Sequence, residues 1–250
     1  MPRIQREVSP SGYYHIILRG NGRQNLFESS HDMELFMLYV DRAVDGTSIE
    51  LIAWCLMDNH VHLLVFDPDN QSSQFVKRFA TSYAMHFNKV ADRVGHVFQD
   101  RYRSIAIKSD QQLLDTVKYI HFNPEKSMVC KQEEYRWSSY HEYLGSPVRI
   151  NPDIVFEMIG GIDEFEAFSR ERAPVETIVS IVDRISKEDS FEAAKAIAGV
   201  DDLASLKSLS KATRNEALGK LRASGFSIRQ IERMTGIGRG TIARVTVQKA

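Results

Sequence analysis

Two histidines separated by one residue, His60 and His62, are the first side chains in the sequence whose spacing suggests chemistry. They begin the segment HVHLLVFD, whose apolar and β-branched residues predict a strand. The period of two places both imidazoles on one face, roughly 6.5–7 Å apart along the strand. Two neutral imidazoles at this spacing can bind one divalent ion, although such a pair at a strand edge is often only polar filling.

A tyrosine and an asparagine four residues apart, Tyr119 and Asn123, form the second candidate group. The segment QQLLDTVKYIHFN predicts a helix, on which these two side chains share a face. On a helical wheel Leu113 and Val117 form the core stripe, and Tyr119 and Asn123 fall on the opposite side. We expect the helix to end near Asn123, because Pro124 disfavours the α conformation in the residue before it. The alternative is an exposed tyrosine on a helix that Asn123 merely terminates.

The residue types in these two groups are complementary. A phenol, with a pKa of about 10, is a weak nucleophile until a cation or a base assists it. Asn123 offers a carbonyl oxygen as a third ligand beside His60 and His62. Imidazole combined with hard oxygen suits Mg²⁺ or Mn²⁺. The sequence therefore predicts a divalent cation, either Mg²⁺ or Mn²⁺, next to a tyrosine nucleophile.

The elements that must position these groups follow the order β-α-β-β-α-β, with one further helix. Strands are predicted in YYHIILRG, IELIAWCLM, HVHLLVFD and YRSIAIK, and helices in HDMELFMLYVDRAVDG, in residues 72–94 and in QQLLDTVKYIHFN. This order predicts a ferredoxin-like α+β fold, with an antiparallel sheet and helices on one face. An all-α C-terminal region with a helix-turn-helix is expected to follow.

The net charge of −1 conceals three different segments. Residues 1–150 contain 17 Lys and Arg against 18 Asp and Glu, residues 151–205 contain 5 against 13, and residues 206–250 contain 10 against 2. We therefore predict a catalytic domain over 1–148, an acidic helical linker over 149–205 and a basic DNA-binding domain over 206–250. A basic segment of this kind favours a polyanionic partner, and a solvated helical surface is the alternative.

Composition excludes several other classes of protein. Hydrophobic residues make up 43% and charged residues 26% of the chain, which argues against a disordered or collagen-like protein. No stretch approaches the ~18 apolar residues of a membrane span, and MPRIQREVSP lacks the apolar core of a signal peptide. The two cysteines, Cys55 and Cys130, support neither a disulfide framework nor a cysteine zinc site. We expect a cytoplasmic protein with no membrane partner.

The basic segment contains a pattern of two short helices. SIRQIERMT and the residues from Arg239 to Val245 predict the helices, and Gly236 supplies the turn between them, as in a helix-turn-helix. The segment resembles the terminal DNA-binding modules of bacterial replication initiators and sigma-like factors. Together with its charge, this pattern predicts binding to duplex DNA through Arg239, Thr241 and Arg244.

Five motifs in order over residues 10–145 resemble the single-tyrosine transposases of the HUH superfamily, and among them the REP-associated tyrosine transposases of the insertion-sequence type. They are HIILRGNGRQNLF, MDNHVHLLV, FQDRYRS, YIHFNP and YRWSSY. His60 and His62 match the histidine pair of the family, Tyr119 matches its catalytic tyrosine, and Asn123 stands where a further metal ligand is found. The resemblance implies metal-dependent cleavage of single-stranded DNA at hairpin-associated sites, a covalent 5′-phosphotyrosine intermediate and transfer of the strand.

Binding of single-stranded DNA also requires cations interleaved with aromatic residues, which contact phosphates and stack on bases. The candidates in the first domain are Arg19, Arg23, Arg101, Tyr102, Arg103 and Lys118. His15 occupies a position that is often histidine in the family, and it fits a buried core residue equally well. The sequence does not specify the oligomeric state, with a homodimer as one alternative, nor whether the tyrosine acts within its own subunit.

Two other functions remain open from the sequence. One is a domesticated DNA-binding regulator that keeps the fold but does not cut DNA. The other is a metal-dependent phosphodiesterase that uses water as the nucleophile, in which Tyr119 is only structural. The presence of His60, His62 and Tyr119 together argues against the regulator.

Overall fold

The chain divides into two compact units, Met1–Arg172 and Ala173–Ala250. The computed structural model describes residues 7–145, 147–171, 173, 191, 194–195, 197–224, 226 and 228–245. The first unit extends beyond the boundary predicted at residue 148, because the following segment packs onto the same core. The amide of Asn151 donates to the Leu51 carbonyl at 2.8 Å. Residues 172, 174–190, 192, 193 and 196 of the predicted acidic linker lie outside the described residues.

A four-stranded antiparallel sheet forms the centre of the first unit. Its strands have the order β2-β3-β1-β4, and their bounds are Tyr13–Arg19 for β1, Glu50–Met57 for β2, His60–Phe66 for β3 and Arg103–Ala106 for β4. Asp58 and Asn59 form the tight connection between β2 and β3, as their position between two apolar segments predicted. The α+β class with an antiparallel sheet is therefore confirmed.

The helices of the first unit are α1 (Ser30–Val44), α2 (Ser72–Val90), α3 (Asp110–Lys126), α4 (Tyr140–Tyr143), α5 (Asp153–Ile159) and α6 (Phe165–Arg170). Helix α1 begins with a capping box, in which Ser29 accepts a hydrogen bond from the Asp32 amide and Asp32 accepts one from the Ser29 amide. Asp32 is thus the third residue of the helix. The capping residue itself is Ser29.

Helices lie on both faces of the sheet, so the prediction of helices on one face is wrong for α3. Leu18 of β1 lines a groove together with Val76 of α2. The ring of Tyr119 on α3 contacts that of His15, which has the opposite parity on β1. Residues of opposite parity on a strand point to opposite faces. Helix α3 therefore covers the face that carries the histidines.

Helix α3 continues through Pro124 to Lys126, beyond the predicted end near Asn123. A proline inside a helix leaves the carbonyl four residues earlier without its amide donor. The Asn123 side chain compensates, because its Nδ2 lies 2.8 Å from the Tyr119 carbonyl and 3.4 Å from the Ile120 carbonyl. The side-chain amide thus supplies a donor at the turn where Pro124 removes one.

The second unit contains α7 (Lys211–Ala223), α8 (Ile228–Thr235) and α9 (Arg239–Ala243). Gly236, with a φ of +65°, turns the chain between the last two helices. Ile231 and Ile242, two of the predicted core residues, are fully buried. The predicted first residue of α8, Ser227, lies outside the described residues. In the described part of the chain, no helix is long and apolar enough to span a lipid bilayer.

Candidate active site

Strand β3 holds His60 and His62 on the face of the sheet that α3 covers. Their ring centroids lie 5.0 Å apart. His60 is half-buried beside the tight turn, where its Nδ1 lies 2.7 Å from Oδ1 of Asn59. His62 is only 1% exposed. The two histidines therefore form a pair with one member facing the interior and one near the surface.

Helix α3 brings Tyr119 against this pair. The Tyr119 ring centroid lies 5.6 Å from that of His62 with an interplanar angle of 90°, and 6.0 Å from that of His15. Tyr119 is 3% exposed, although the helical wheel placed it away from the core. The wheel failed because α3 is buried on nearly its whole circumference, between the sheet and the segment that contains α4 and α6. The structure thus brings together His60, His62 and Tyr119.

Burial decides the protonation of the inner histidines. Desolvation, assisted by the charges of His60 and His15, holds the pKa of His62 well below its ordinary value. Desolvation also lowers the pKa of His15 to about 3. Both imidazoles are therefore neutral near pH 7, and neutral imidazole is the form that binds a metal ion.

Asn123 lies on α3 one turn beyond Tyr119 and is 3% exposed. Its side-chain Nδ2 donates to the Tyr119 carbonyl at 2.8 Å, so Oδ1 is the acceptor that the amide retains. An amide held in this way presents an oxygen acceptor in a defined orientation. The sequence predicts Asn123 Oδ1 as a ligand, and the structure adds the hydrogen bond from Nδ2 of the same side chain to the Tyr119 carbonyl.

The donor set fits a divalent cation. His62 Nε2 is buried and has no hydrogen-bond partner among the described residues, which is the condition expected of a ligand nitrogen. Nδ1 of His60 lies against Oδ1 of Asn59. No group of three or more His, Cys, Asp or Glu side chains within the described ranges could hold a metal ion. The Asn123 amide stays the further ligand that the sequence predicts.

Three cationic side chains lie near this site. Lys126, which sequence reasoning missed, places its Nζ 5.2 Å from the Tyr119 ring centroid, and its position two turns beyond Tyr119 on α3 was the available signal. The register pairs Arg19 with His60. Ile17 pairs with both His62 and Arg103, so these three residues form one cross-strand row.

The other predicted DNA contacts are not brought to this site. Arg101 and Tyr102 line a groove of about 390 Å³ beside α2, on the side of the sheet opposite the histidines. Arg23 is exposed in the turn after β1. Lys118 is 8% exposed, and its Nζ lies 3.0 Å from Oε2 of Glu171 and 4.4 Å from the Phe168 ring centroid. Lys118 is thus paired with Glu171 within the protein, and its contact with DNA stays a prediction.

The predicted duplex contacts lie on α9 and at its end, in the second unit. The Arg239 guanidinium forms an ion pair with Glu232. Thr241 is half-buried, and Arg244 is exposed with its Nε 2.7 Å from the Gly240 carbonyl. Arg222 of α7 donates to the Val245 carbonyl at 2.7 Å and so stabilises the end of this helix pair. Arg239 and Arg244 are therefore both exposed, and of the two only Arg239 forms an ion pair with a carboxylate among the described residues.

Comparison with known proteins shows that part of this chain is similar to the transposases. Residues 9–123 match the family described as "Transposase IS200 like". This segment includes His15, the histidine pair, Tyr119 and Asn123. The match to this family implies a DNA-cleaving, strand-transferring enzyme.

Two individual proteins resemble the chain more specifically. It is 23% identical over 153 residues to the "Putative REP-associated tyrosine transposase" of Haemophilus influenzae, a match that covers 56% of this chain and 86% of that protein. A REP-associated tyrosine transposase solved with a REP hairpin is 17% identical, with a TM-score of 0.49, and covers 57% of this chain and 84% of that one. Both proteins are described as REP-associated tyrosine transposases.

Proposed function

We propose that the chain is a metal-dependent transposase that cuts single-stranded DNA at hairpin-associated sites and transfers the cut strand through a phosphotyrosine at Tyr119. The observation that carries this proposal is the placement of Tyr119 on α3 against His62 of β3. The nucleophile on α3 and the two histidines on β3 come from separate elements, and their rings lie against one another. The match of residues 9–123 to the transposase family supports the same function.

Tyr119 performs the chemical step. Its phenolic oxygen, after losing its proton, attacks the phosphorus atom, an O–P bond to Tyr119 forms, and the bond from phosphorus to the 3′ oxygen breaks. The 3′ oxygen takes up a proton and leaves as a hydroxyl, and the 5′ phosphate stays on the tyrosine. Attack by another 3′ hydroxyl reverses the step and joins the strand without a nucleotide cofactor.

His60, His62 and Asn123 would hold Mg²⁺ or Mn²⁺, which supplies stabilisation of the negative charge that develops on the phosphate oxygens. Lys126 adds a positive charge beside the phenol, with its Nζ 5.2 Å from the ring centroid. Arg19 and Arg103 lie at the ends of β1 and β4 on the same face. They are the residues that we assign to the phosphates on either side of the cleavage point.

We also infer finer points of the architecture. The antiparallel order β2-β3-β1-β4, with α1 and α2 between the strands in sequence, is that of a ferredoxin-like sheet, to which α3 is added on the other face. Helices α8 and α9 form a helix-turn-helix that binds duplex DNA. The first unit thus cleaves, and the second unit contributes to the choice of site.

One observation favours a second candidate function. Tyr119 is only 3% exposed, which is unusual for a residue that must reach a phosphate and is normal for a residue that only packs. A phosphodiesterase in which water is the nucleophile would need the same histidines and cation. Tyr119 would then support the ligands without reacting.

Incubation of the full chain with a labelled stem-loop oligonucleotide and Mn²⁺ tests both candidates. The wild type should form an adduct that resists denaturation, and Tyr119→Phe should form none. Tyr140→Phe is the matched control, since Tyr140 is 4% exposed and its hydroxyl makes only a 3.5 Å contact with Ser169. Mass spectrometry of the adduct should locate the modification on Tyr119.

Each contrary outcome has its own meaning. Strand cleavage that persists in Tyr119→Phe without an adduct would exclude the covalent mechanism and support hydrolysis by water. Binding of duplex DNA by the wild type, with no adduct on any of several hairpins, would support the non-cleaving regulator. An adduct on a residue other than Tyr119 would overturn the assignment of the nucleophile.

A further inference from the structure

A hydrogen bond between two buried histidines links β1 to the candidate cation site. His15 Nε2 lies 2.9 Å from His62 Nδ1, and the ring centroids are 5.1 Å apart. The register pairs His15 with Leu64 and Ile17 with His62, so the two histidines are diagonal neighbours on one face. His15 is fully buried, as His62 nearly is. The function proposed above gives His15 no role.

This contact restricts where the imidazole protons lie. A neutral imidazole carries one proton, on either of its two nitrogens. Only one proton fits between His15 Nε2 and His62 Nδ1. If His62 Nδ1 donates, His62 Nε2 keeps a lone pair; if His15 Nε2 donates, His62 Nε2 carries the proton and cannot bind a cation.

The surroundings of the pair do not select between these two arrangements. The outward nitrogens, His15 Nδ1 and His62 Nε2, are both buried without a hydrogen-bond partner in the part of the chain that the structure describes. Each arrangement therefore leaves one buried N–H group and one buried lone pair unsatisfied. A cation on His62 Nε2 satisfies that lone pair and selects the first arrangement.

We propose that His15 is a positioning residue: its Nε2 accepts the Nδ1 proton of His62 and holds Nε2 of His62 ready to bind the divalent cation. This inference rests on the metal site of the proposed function. Metal-binding histidines generally donate their second N–H group to a fixed acceptor, which sets both the tautomer and the ring orientation. Here the acceptor is another imidazole, and the Tyr119 ring packs against both His15 and His62.

Binding of Mn²⁺ to the full chain, followed by electron paramagnetic resonance, tests the role of His15 without reference to activity. His15→Leu should weaken Mn²⁺ binding roughly 10- to 100-fold, the usual effect of removing such a partner. His15→Gln should restore most of the affinity, because its Oε1 reaches about as far as the imidazole Nε2 and also accepts. The matched control is His121→Leu, since His121 is equally buried and is bonded to Ser139. This variant should bind Mn²⁺ like the wild type.

A second measurement needs no variant and so does not depend on whether His15→Leu folds. Long-range ¹H–¹⁵N correlation spectra of the Mg²⁺-loaded wild type should show His62 as the Nδ1–H tautomer and His15 likewise as the Nδ1–H tautomer. An Nε2–H tautomer at His15 would overturn the inference. Wild-type affinity for Mn²⁺ in His15→Leu, or equal losses in His15→Leu and His15→Gln, would overturn it as well.

The outcomes also separate this inference from the proposed function. If the wild type binds no Mn²⁺, the metal site itself is wrong and the role of His15 falls with it. If the wild type binds Mn²⁺ and forms the Tyr119 adduct while His15→Leu binds Mn²⁺ equally well, only the role of His15 is overturned. Weakened binding in His15→Leu, with rescue in His15→Gln, supports both.

Discussion

A buried histidine outside the cation site should make the first unit sensitive to acid. Burial, together with the charge of His141, lowers the pKa of His121 to about 3, and its Nε2 lies 2.8 Å from Ser139 Oγ. In the unfolded chain an imidazole titrates near pH 6.5. Below that pH the His121 imidazole therefore binds a proton in the unfolded state but not in the native state. The free energy of unfolding then falls as the pH falls from about 6.5 to about 3.

The size of this effect follows from the two pKa values. Linkage gives a contribution from His121 that falls by about 2–3 kcal/mol between pH 7 and pH 4.5, out of the roughly 5–15 kcal/mol that stabilises a typical domain. His121→Gln cannot titrate, so its stability relative to the wild type should rise by about 2–3 kcal/mol over this range. Urea unfolding followed by tryptophan fluorescence reports on the correct unit, because Trp54 and Trp137, the two tryptophans of the chain, both lie in it.

Ser139→Ala is the control for this measurement. It removes the hydrogen bond to His121 but leaves the imidazole, so it should lower stability and keep the pH dependence of the wild type. Parallel stability curves for the wild type and His121→Gln from pH 7 to pH 4.5 would refute the reasoning. They would mean that His121 takes up its proton in the native state.

Two further predictions concern cationic side chains that we expect to lie near bound DNA, Lys126 and Arg244. Lys126→Gln should slow adduct formation about tenfold in a single-turnover assay, while Mn²⁺ binding stays unchanged. The reason is that the ammonium lies 5.2 Å from the Tyr119 ring centroid at a half-buried position. An unchanged rate would exclude a role of Lys126 in the attack by Tyr119. Arg244→Gln should reduce the slope of log affinity for duplex DNA against log salt concentration by about one, as for one lost phosphate contact. An unchanged slope would remove Arg244 from the interface.

The patterns that depend on neighbouring residues were readable from the sequence. The alternation in HVHLLVFD predicted a strand with both histidines on one face, and the structure has β3 at His60–Phe66 with the rings 5.0 Å apart. The turn at Asp58 and Asn59 followed from its position between two apolar segments. Residue types and local periods are enough for such features, because the side-chain direction along a strand is set by the backbone.

The features that depend on distant parts of the chain were not readable in the same way. The helical wheel gave α3 one buried face, because nothing local shows that the segment after residue 138 packs against its other side. The structure puts the Tyr143 and Phe165 rings there, stacked with centroids 4.5 Å apart, and His121 contacts both. The bond between His15 and His62 likewise requires the register of β1 against β3, which neither strand specifies alone.

The location of the site follows from this register. A slip of one residue between β1 and β3 would turn His62 to the opposite face of the sheet, away from Tyr119. The turn that sets the start of β3 is held by three backbone hydrogen bonds from the segment after β1, in which Leu26 and Phe27 donate to the Asp58 carbonyl and Gly20 donates to the Asn59 carbonyl. The same segment therefore positions the candidate ligands. Residues that never touch the substrate thus determine which face of the sheet carries the histidines, and α3 needs only to cover that face to complete the site.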